Sequence, residues 1–233
     1  MKIKELNGIQ SLLKTKQQIS IIGHKNPDGD ALGSTLALSH FLQKTGHNTQ
    51  VIMPNSYPEF LKWMPGNEDI LIYDKDSKKC EQSLNASDLI FTLDFNNLDR
   101  TGNLGEFLKN LDKTFVMIDH HQAPDDYAKF RFVDTMIGST CELIYDFIEI
   151  LDQKSELDKT ISSCLYTGIM TDTGSFRFPL TSSKTHRIIA DLIDHGAENS
   201  KIHRDTFDNN SYSRMQLLGR ALQNLKVIES LNT

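Results

Sequence analysis

Runs of apolar residues alternate with longer segments of helical periodicity along most of the chain. The apolar runs predict buried strands at residues 19–22, 49–53, 88–93 and 114–118, with shorter strands at 70–73 and 130–133. Apolar residues at helical spacing predict helices at 1–17, 31–44, 78–85, 138–151, 157–170, 182–195, 198–205 and 212–229, and another that opens at 101–102. This alternation predicts an α/β fold with a mostly parallel sheet flanked by helices, followed by a helical C-terminal part.

One loop between a strand and a helix carries an unusual set of polar residues. His24, Asp28 and Asp30 follow the predicted strand 19–22, and the turn-forming pairs Asn26-Pro27 and Asp28-Gly29 break regular structure before the next helix. In open α/β sheets, ligands bind at this end of the strands. The alternative is a helix N-terminus capped by Asp28 or Asp30, with no ligand.

Two more predicted strands end in acids or histidines. Asp94 follows the strand 88–93, and Asp119-His120-His121 follows the strand 114–118. Asp172 belongs to a Thr-Asp-Thr-Gly segment that interrupts the helical pattern after Met170. If the strands are parallel, their ends converge on one edge of the sheet, although a chance set of strand-end acids is the alternative.

The chemistry of these side chains is that of a site for hard or borderline metal ions. Carboxylates and imidazoles without a thiolate suit Mn²⁺, Mg²⁺, Fe²⁺ or Zn²⁺. The set is too large for one catalytic ion with open positions, and it suits two ions that share a bridging carboxylate.

Composition narrows the class of protein. A net charge of −6 argues against a surface that coats long nucleic acid, but metal ions can still hold a nucleotide substrate. The three cysteines form neither a zinc spacing nor a disulfide framework, and we expect them to be buried apolar residues. No segment has the apolar character of a signal peptide or a membrane span, which predicts a cytoplasmic protein without membrane contacts.

At these residues the chain resembles the DHH phosphoesterase superfamily. Residues 24–30 (HKNPDGD), 93–102 (LDFNNLDRTG), 119–121 (DHH) and 167–178 (TGIMTDTGSFRF) are similar to its motifs in order, and the last is typical of the oligoribonuclease (nanoRNase) and pAp-phosphatase branch. The resemblance implies one Mn²⁺ held by His24, Asp28 and Asp94. It implies a second Mn²⁺ with these ligands: Asp30, Asp94, His120 and Asp172.

The resemblance also implies roles around the metals. Asp94 would bridge the two ions, His121 would lie against the scissile phosphate, and Asp119 would fix the tautomer of an imidazole. A metal-activated water would attack phosphorus.

Four residues are candidates for substrate binding, each with an alternative where the sequence offers one. Asn26 belongs to the first motif, and Ser34 near the helix N-terminus binds phosphate or simply lets the helix pack closely. Arg100 pairs with a substrate phosphate or with Asp99. Arg177 reaches the cleft or lies on the surface.

The expected domain organisation is a catalytic DHH domain at residues 1–195 and a helical extension or linker at 196–233. The extension is expected to lead towards a second, substrate-binding domain that is absent here, and part of its apolar stripe is expected to pack on the catalytic domain. The expected activity is hydrolysis of very short RNA or of 3′-phosphoadenosine 5′-phosphate (pAp). Inorganic pyrophosphatase, linear or cyclic dinucleotide phosphodiesterase, and nucleotide binding without turnover are the alternatives, and a homodimer is left open.

Overall fold

The computed structural model describes residues 3–227, and in that range six strands form one parallel sheet. The strands are β1 Gln18–Ile22, β2 Asn48–Met53, β3 Leu71–Ile72, β4 Leu89–Leu93, β5 Thr114–Asp119 and β6 Phe130–Val133. Their order across the sheet is β3-β2-β1-β4-β5-β6, and every neighbouring pair is parallel. The predicted α/β fold is therefore confirmed. Strands β2 and β3 lie on one side of β1, and strands β4 to β6 lie on its other side.

The α-helices in the described range follow the predicted order. They are α1 Ile3–Leu12, α2 Gly29–Lys44, α3 Ser77–Ala86, α4 Asn103–Lys109, α5 Thr140–Ile150, α6 Lys159–Asp172, α7 Ser183–Asp194, α8 Asn199–Phe207 and α9 Tyr212–Gln223. The predicted interruption after Met170 is wrong. Helix α6 continues to Asp172, and the hydroxyl of Thr171 donates to the carbonyls of Thr167 and Gly168, a side-chain hydrogen bond that a helix accommodates.

Alternating strand residues supply the cores on the two faces of the sheet. In β4, Phe91 packs in the larger core with α2, α5 and α6, while Ile90 packs in the smaller core with α3 and α4. In β5, Val116 and Met117 divide in the same way. Burial on both faces is the physical reason that these strands are continuous apolar runs in the sequence.

Helices α2 and α6 cross at glycines, which brings their functional ends together. A Cβ atom at Gly33 would lie 2.5 Å from the carbonyl oxygen of Cys164, and one at Gly168 would lie 2.2 Å from Cys141 Sγ. Because only glycine permits this approach, Asp30 in the first turn of α2 comes close to Asp172 in the last turn of α6.

Helix α9 differs from expectation in length and packing. It ends at Gln223, with Asn224 as its C-cap, so the continuation predicted to residue 229 is wrong up to residue 227. Its last two residues, 228 and 229, lie outside the described residues. No residue of α9 is buried, and Leu218 and Leu222 are 49% and 57% exposed. Up to residue 227, the expectation that part of the apolar stripe packs on the catalytic domain is therefore also wrong; Ile228, the last residue of the stripe, lies outside the described residues.

The structure bears on the cysteines and on the apolar character of the helices. All three cysteines are buried and unpaired, as predicted. Between residues 3 and 227, none of the helices combines the length and the apolar character that crossing a membrane requires.

Candidate metal centre

The carboxyl ends of β1, β4 and β5 bring the predicted donors together around Asp94. His24 Nε2 lies 3.4 Å from Asp94 Oδ2, and His120 Nε2 lies 3.5 Å from Asp94 Oδ1. His120 Nε2 is also 3.4 Å from Asp172 Oδ2 at the end of α6. Asp94 thus stands between the two imidazoles, each of which approaches a different oxygen of its carboxylate.

Three overlapping groups of side chains in the described residues have a geometry that could hold metal ions. Within each group, one ligand atom per residue lies within 4.8 Å of the others. The groups are His24-Asp28-Asp94, Asp30-His120-Asp172 and Asp94-His120-His121. Every predicted metal ligand lies in at least one of these groups, so the convergence expected from the strand ends is present in the fold.

The two central imidazoles are oriented as metal ligands usually are. Nδ1 of His24 donates to the carbonyl of Lys25 over 2.8 Å, and Nδ1 of His120 faces the carbonyl of Ile137 at 3.3 Å. A hydrogen bond from one ring nitrogen fixes the tautomer, and the other nitrogen is then free to bind a cation. In both residues that other nitrogen is Nε2, which points at the carboxylates.

Asp28 caps α2 and also has a carboxylate oxygen near His24, so its position is compatible with both alternatives that the sequence offered. Its Oδ1 caps α2 by accepting from the backbone N–H groups of Asp30 and Ala31, each over 3.0 Å. Its Oδ2 lies 3.8 Å from His24 Nε2, and the side chain is 56% exposed. Because a carboxylate has lone pairs on both oxygens, the capping role leaves one oxygen for the candidate metal group.

Asp30 is anchored by a helix that the sequence did not connect with it. Its fully buried carboxylate accepts from the backbone N–H of Thr140 over 2.6 Å and from that of Cys141 over 2.9 Å, at the N-terminus of α5. Thr140 Oγ1 also donates to Asp94 Oδ1 over 2.9 Å. The sequence predicted that α5 begins here, and a helix N-terminus attracts anions, but nothing in it indicated which carboxylate binds.

Asp94 also adopts a backbone conformation that is unusual for its residue type. Its φ is 66°, in the left-handed region, and its backbone N–H donates to the carbonyl of Ile118. Non-glycine residues in this region are uncommon, and they persist where the surroundings hold them. The same region is occupied by Gly174, Ser175 and Phe176, which follow the C-cap of α6 at Thr173.

The site brings several carboxyl groups together in a largely buried position. Burial raises the pKa of Asp30 well above its usual range, and the nearby charges of Asp94 and Asp172 raise it further. Burial and the Asp94 charge raise the pKa of Asp172 to about 6. Burial works against the charged form of His24, but Asp28 and Asp94 outweigh it and raise the pKa of His24 to about 10.

The pKa values of Asp94 and His120 are also shifted by their neighbours. Burial opposes ionisation of Asp94, yet the imidazoles of His120 and His24 hold its pKa below the usual range. Burial also opposes the charged form of His120, but Asp94 and Asp30 raise its pKa to about 10. Carboxylates that share one crevice need positive charge between them, and divalent cations meet that need.

His121 is held differently from His120. Its Nδ1 donates to the buried Asp119 Oδ1 over 2.7 Å and lies 3.8 Å from Asp94 Oδ1. Since that nitrogen carries the proton shared with Asp119, it is not available to a metal ion, although His121 belongs to one of the three groups. Its side chain is 31% exposed, which leaves Nε2 as the nitrogen that can meet a ligand.

The candidate substrate-binding residues are placed unequally. Ser34 is fully buried and donates to the carbonyl of Ala31, so it has no surface to offer a substrate; its alternative role in close helix packing fits the structure. Asp99 pairs with Lys109 over 2.6 Å, and the ion pairs of the described residues include none between Asp99 and the half-buried Arg100.

Arg177 and Asn26 keep surface that a substrate can reach. Arg177 is exposed, and its Nε donates to the carbonyl of Gly174 over 2.6 Å, just after the end of α6. Asn26 is exposed beside Asp28, with a φ of 55°.

Comparison with protein families and with known proteins gives a consistent result. The model of the DHH family, N-terminal domain, matches residues 18–169. The "Probable bifunctional oligoribonuclease and PAP phosphatase NrnA" of Streptococcus mutans is 31% identical over 94% of this chain and 66% of its own. The "Bifunctional oligoribonuclease and PAP phosphatase NrnA" of Thermus thermophilus is 29% identical over 88% of this chain and 58% of its own.

A solved structure has the same fold. The crystal structure of an exopolyphosphatase-related protein from Bacteroides fragilis superposes with a TM-score of 0.94 at 35% sequence identity, over 98% of this chain and 68% of that one. The chain thus spans only 58–66% of the length of the two curated relatives, and about the same share of the solved one.

Proposed function

The chain belongs to the DHH family, and from this premise we propose that it is a metal-dependent phosphoesterase acting on very short RNA and on pAp. Family membership and the names of these relatives support the general part of the proposal, the hydrolysis of phosphate esters. The observation that carries the finer proposal is the complete donor set around Asp94, at the carboxyl edge of a parallel sheet. The oligoribonuclease and PAP phosphatase names of relatives that match most of the chain support the choice of substrates.

We assign the donor groups to two ions, with Mn²⁺ as the preferred metal. His24, Asp28 and Asp94 would hold one ion, and Asp30, His120 and Asp172 would hold the other together with Asp94. Divalent ions bound by these residues would lower the pKa of a water molecule and would offset charge on the phosphoryl oxygens. Mg²⁺, Fe²⁺ and Zn²⁺ bind the same donor types and are the alternatives.

Around this centre the protein's own groups orient and stabilise the reacting phosphate. Asp119 accepts a hydrogen bond from Nδ1 of His121, which leaves Nε2 to meet the substrate. In the imidazolium form, with both ring nitrogens protonated, His121 would donate the Nε2 proton to the leaving oxygen. Thr140 and the N-terminus of α5 hold Asp30 and Asp94 in place, so the donors do not have to rearrange when substrate binds. Arg100 and Arg177 are proposed to contact substrate phosphates.

The remaining parts of the assignment are also proposals. We propose residues 1–195 as the catalytic domain and residues 196–233 as a helical extension that leads towards a further domain in longer relatives. A cytoplasmic location and a homodimer complete the proposal, and size-exclusion chromatography with light scattering tests the dimer.

A substrate panel tests the activity. The purified chain is incubated with Mn²⁺ and pAp, a diribonucleotide, pyrophosphate or a cyclic dinucleotide, and products are separated by chromatography. We expect turnover of the first two and loss of turnover after chelation with EDTA. Turnover of pyrophosphate alone assigns the chain to the pyrophosphatases instead. Binding without hydrolysis of any substrate contradicts the proposed enzyme.

A further inference from the structure

A mostly apolar pocket opens beside the candidate metal centre. It has a volume of about 530 Å³ and lies between the loop after β1, the short 3₁₀ turn at Glu59–Leu61 and the C-terminal end of α8. Asp28 and Thr171 contribute to its lining. Since Asp28 also belongs to the His24-Asp28-Asp94 group, the pocket adjoins the centre at this residue.

Aromatic side chains supply much of the pocket wall. Tyr57 and Phe60 line it while packing against the larger core, and the hydroxyl of Tyr57 donates to Asn67 Oδ1 over 2.6 Å. Phe207 lines it from the last residue of α8 and remains 44% exposed. We call this site the aromatic pocket and define it by Tyr57, Phe60 and Phe207 together with Asp28.

The loop on the metal side of the pocket is held in place by a reciprocal amide pair. The backbone N–H of Asn26 donates to Asn55 Oδ1 over 2.6 Å, and Asn55 Nδ2 donates to Asn26 Oδ1 over 2.8 Å. This pair ties the loop after β1 to the segment that carries Tyr57. The pocket is therefore largely formed before any ligand binds, which lowers the entropy cost of binding.

The lining chemistry selects the kind of group that fits. Asp28 is the one charged residue in the lining, and it lies on the side of the metal centre. The other walls present aromatic rings, prolines and small polar groups to an uncharged occupant. A flat, uncharged ring attached to a phosphate fits this lining. The phosphate lies at the metal centre on the Asp28 side, and the ring stacks on the aromatic side chains of the other walls.

We propose that the aromatic pocket binds the nucleobase of the nucleotide whose phosphate lies at the metal centre. This inference rests on the proposed nucleotide substrates. Stacking accepts every base because each has a π-face, so the pocket favours nucleotides over simple phosphate esters without strong selection among bases. Phe207 becomes a specificity-determining residue, and it lies outside the groups that hold the metal.

Equilibrium binding tests the pocket without relying on turnover. Titration calorimetry in Mn²⁺ compares adenosine 5′-monophosphate with ribose 5-phosphate, which keeps the sugar and phosphate but has no base. We expect the wild-type protein to bind the base-carrying ligand at least roughly 10-fold more tightly, as expected for a stacking contact. Equal affinity for the two ligands, or no measurable binding of the nucleotide, overturns the proposal.

Variants at Phe207 separate stacking from simple packing. Phe207→Leu keeps apolar bulk without a ring, and it should weaken nucleotide binding roughly 10-fold while leaving ribose 5-phosphate unchanged. Phe207→Tyr keeps the ring and should retain wild-type affinity. Tyr212→Ala removes an aromatic ring that is 79% exposed and does not line the pocket, and it should have no effect.

The outcomes distinguish this inference from the proposed function. Far-UV circular dichroism and thermal melting first establish that each variant is folded. Nucleotide binding that depends on the ring at position 207, in a protein that hydrolyses no substrate of the panel, supports the pocket and refutes the enzyme. Hydrolysis of the diribonucleotide with the same affinity in Phe207→Leu and wild type refutes the pocket and leaves the enzyme in place.

Discussion

Substituting Gly168 by alanine probes the crossing of α2 and α6, on which the geometry of the candidate metal centre depends. The added methyl would lie 2.2 Å from Cys141 Sγ, 2.8 Å from Asp30 Oδ1 and 3.1 Å from the Asp30 Cα atom. Distances below 3.0 Å cannot be kept, so the two helices or the side chains between them must shift. Asp30 is one of the groups that must move, and a shift there also disturbs the donor set.

The expected size of the effect follows from two opposing contributions. Overpacking a well-filled interior costs about 1–3 kcal/mol, and contacts on several sides place this site at the upper end. Replacing a helical glycine by alanine returns about 1 kcal/mol of helix propensity. We therefore expect Gly168→Ala to lower the free energy of unfolding by about 2 kcal/mol and to lower the Mn²⁺ content of the purified protein.

The assay is urea denaturation followed by circular dichroism, with Gly219→Ala as the matched helical control. No atom lies within 4 Å of a Cβ at Gly219, and α9 buries no residue, so this change should raise helical content and leave the main unfolding midpoint unchanged. In a Cys141→Ala background the 2.2 Å contact disappears, and Gly168→Ala should then cost less. Wild-type stability of Gly168→Ala, or an additive double-mutant cycle, would refute the packing argument.

The other predictions concern the polar residues of the site and one buried carboxyl group. Asp94→Asn should abolish Mn²⁺-dependent turnover, whereas Asp99→Asn, at an exposed carboxylate, should not. More than a tenth of wild-type turnover in Asp94→Asn contradicts the proposed bridging role of Asp94. His120→Ala should lower the metal content found by elemental analysis, and His121→Ala should keep it while lowering turnover about 10²–10⁴-fold; the reverse pattern contradicts both roles. Burial raises the pKa of Glu142 from 4.5 to about 7, so the folded protein favours the protonated carboxyl group. The resulting stabilisation is complete below pH 4.5 and is lost as the pH rises through about 7. Glu142→Gln should remove this loss of up to about 3 kcal/mol in urea titrations at about pH 5 and pH 8, and an unchanged pH dependence argues against it.

The sequence by itself determined the fold class and the residues that meet at the sheet edge. Buried parallel strands are continuous apolar runs, and the polar residue after each run marks the carboxyl end of its strand. Because parallel strands end at the same edge, His24, Asp94 and His120 had to converge there once the strands paired. Asp172 was assigned through the resemblance of its motif, although the helix that carries it was expected to break before it.

Tertiary structure alone decided how those residues are held. Asp30 and Thr140 are separated by 110 positions, and their hydrogen bond leaves no local pattern in the sequence. The same is true of the approach of Gly168 to Cys141, which depends on how two helices cross. Periodicity records which face of an element is apolar, but it does not record which neighbour that face meets.

Burial and exposure of individual residues were settled in the same way. The sequence allowed Ser34 to bind phosphate, but the packing around α2 buries its hydroxyl. It also predicted that an apolar stripe would pack on the domain, yet Leu218 and Leu222 on α9 remain exposed. An apolar pattern states only that burial would be favourable, and whether a surface is there to receive it is a property of the assembled fold.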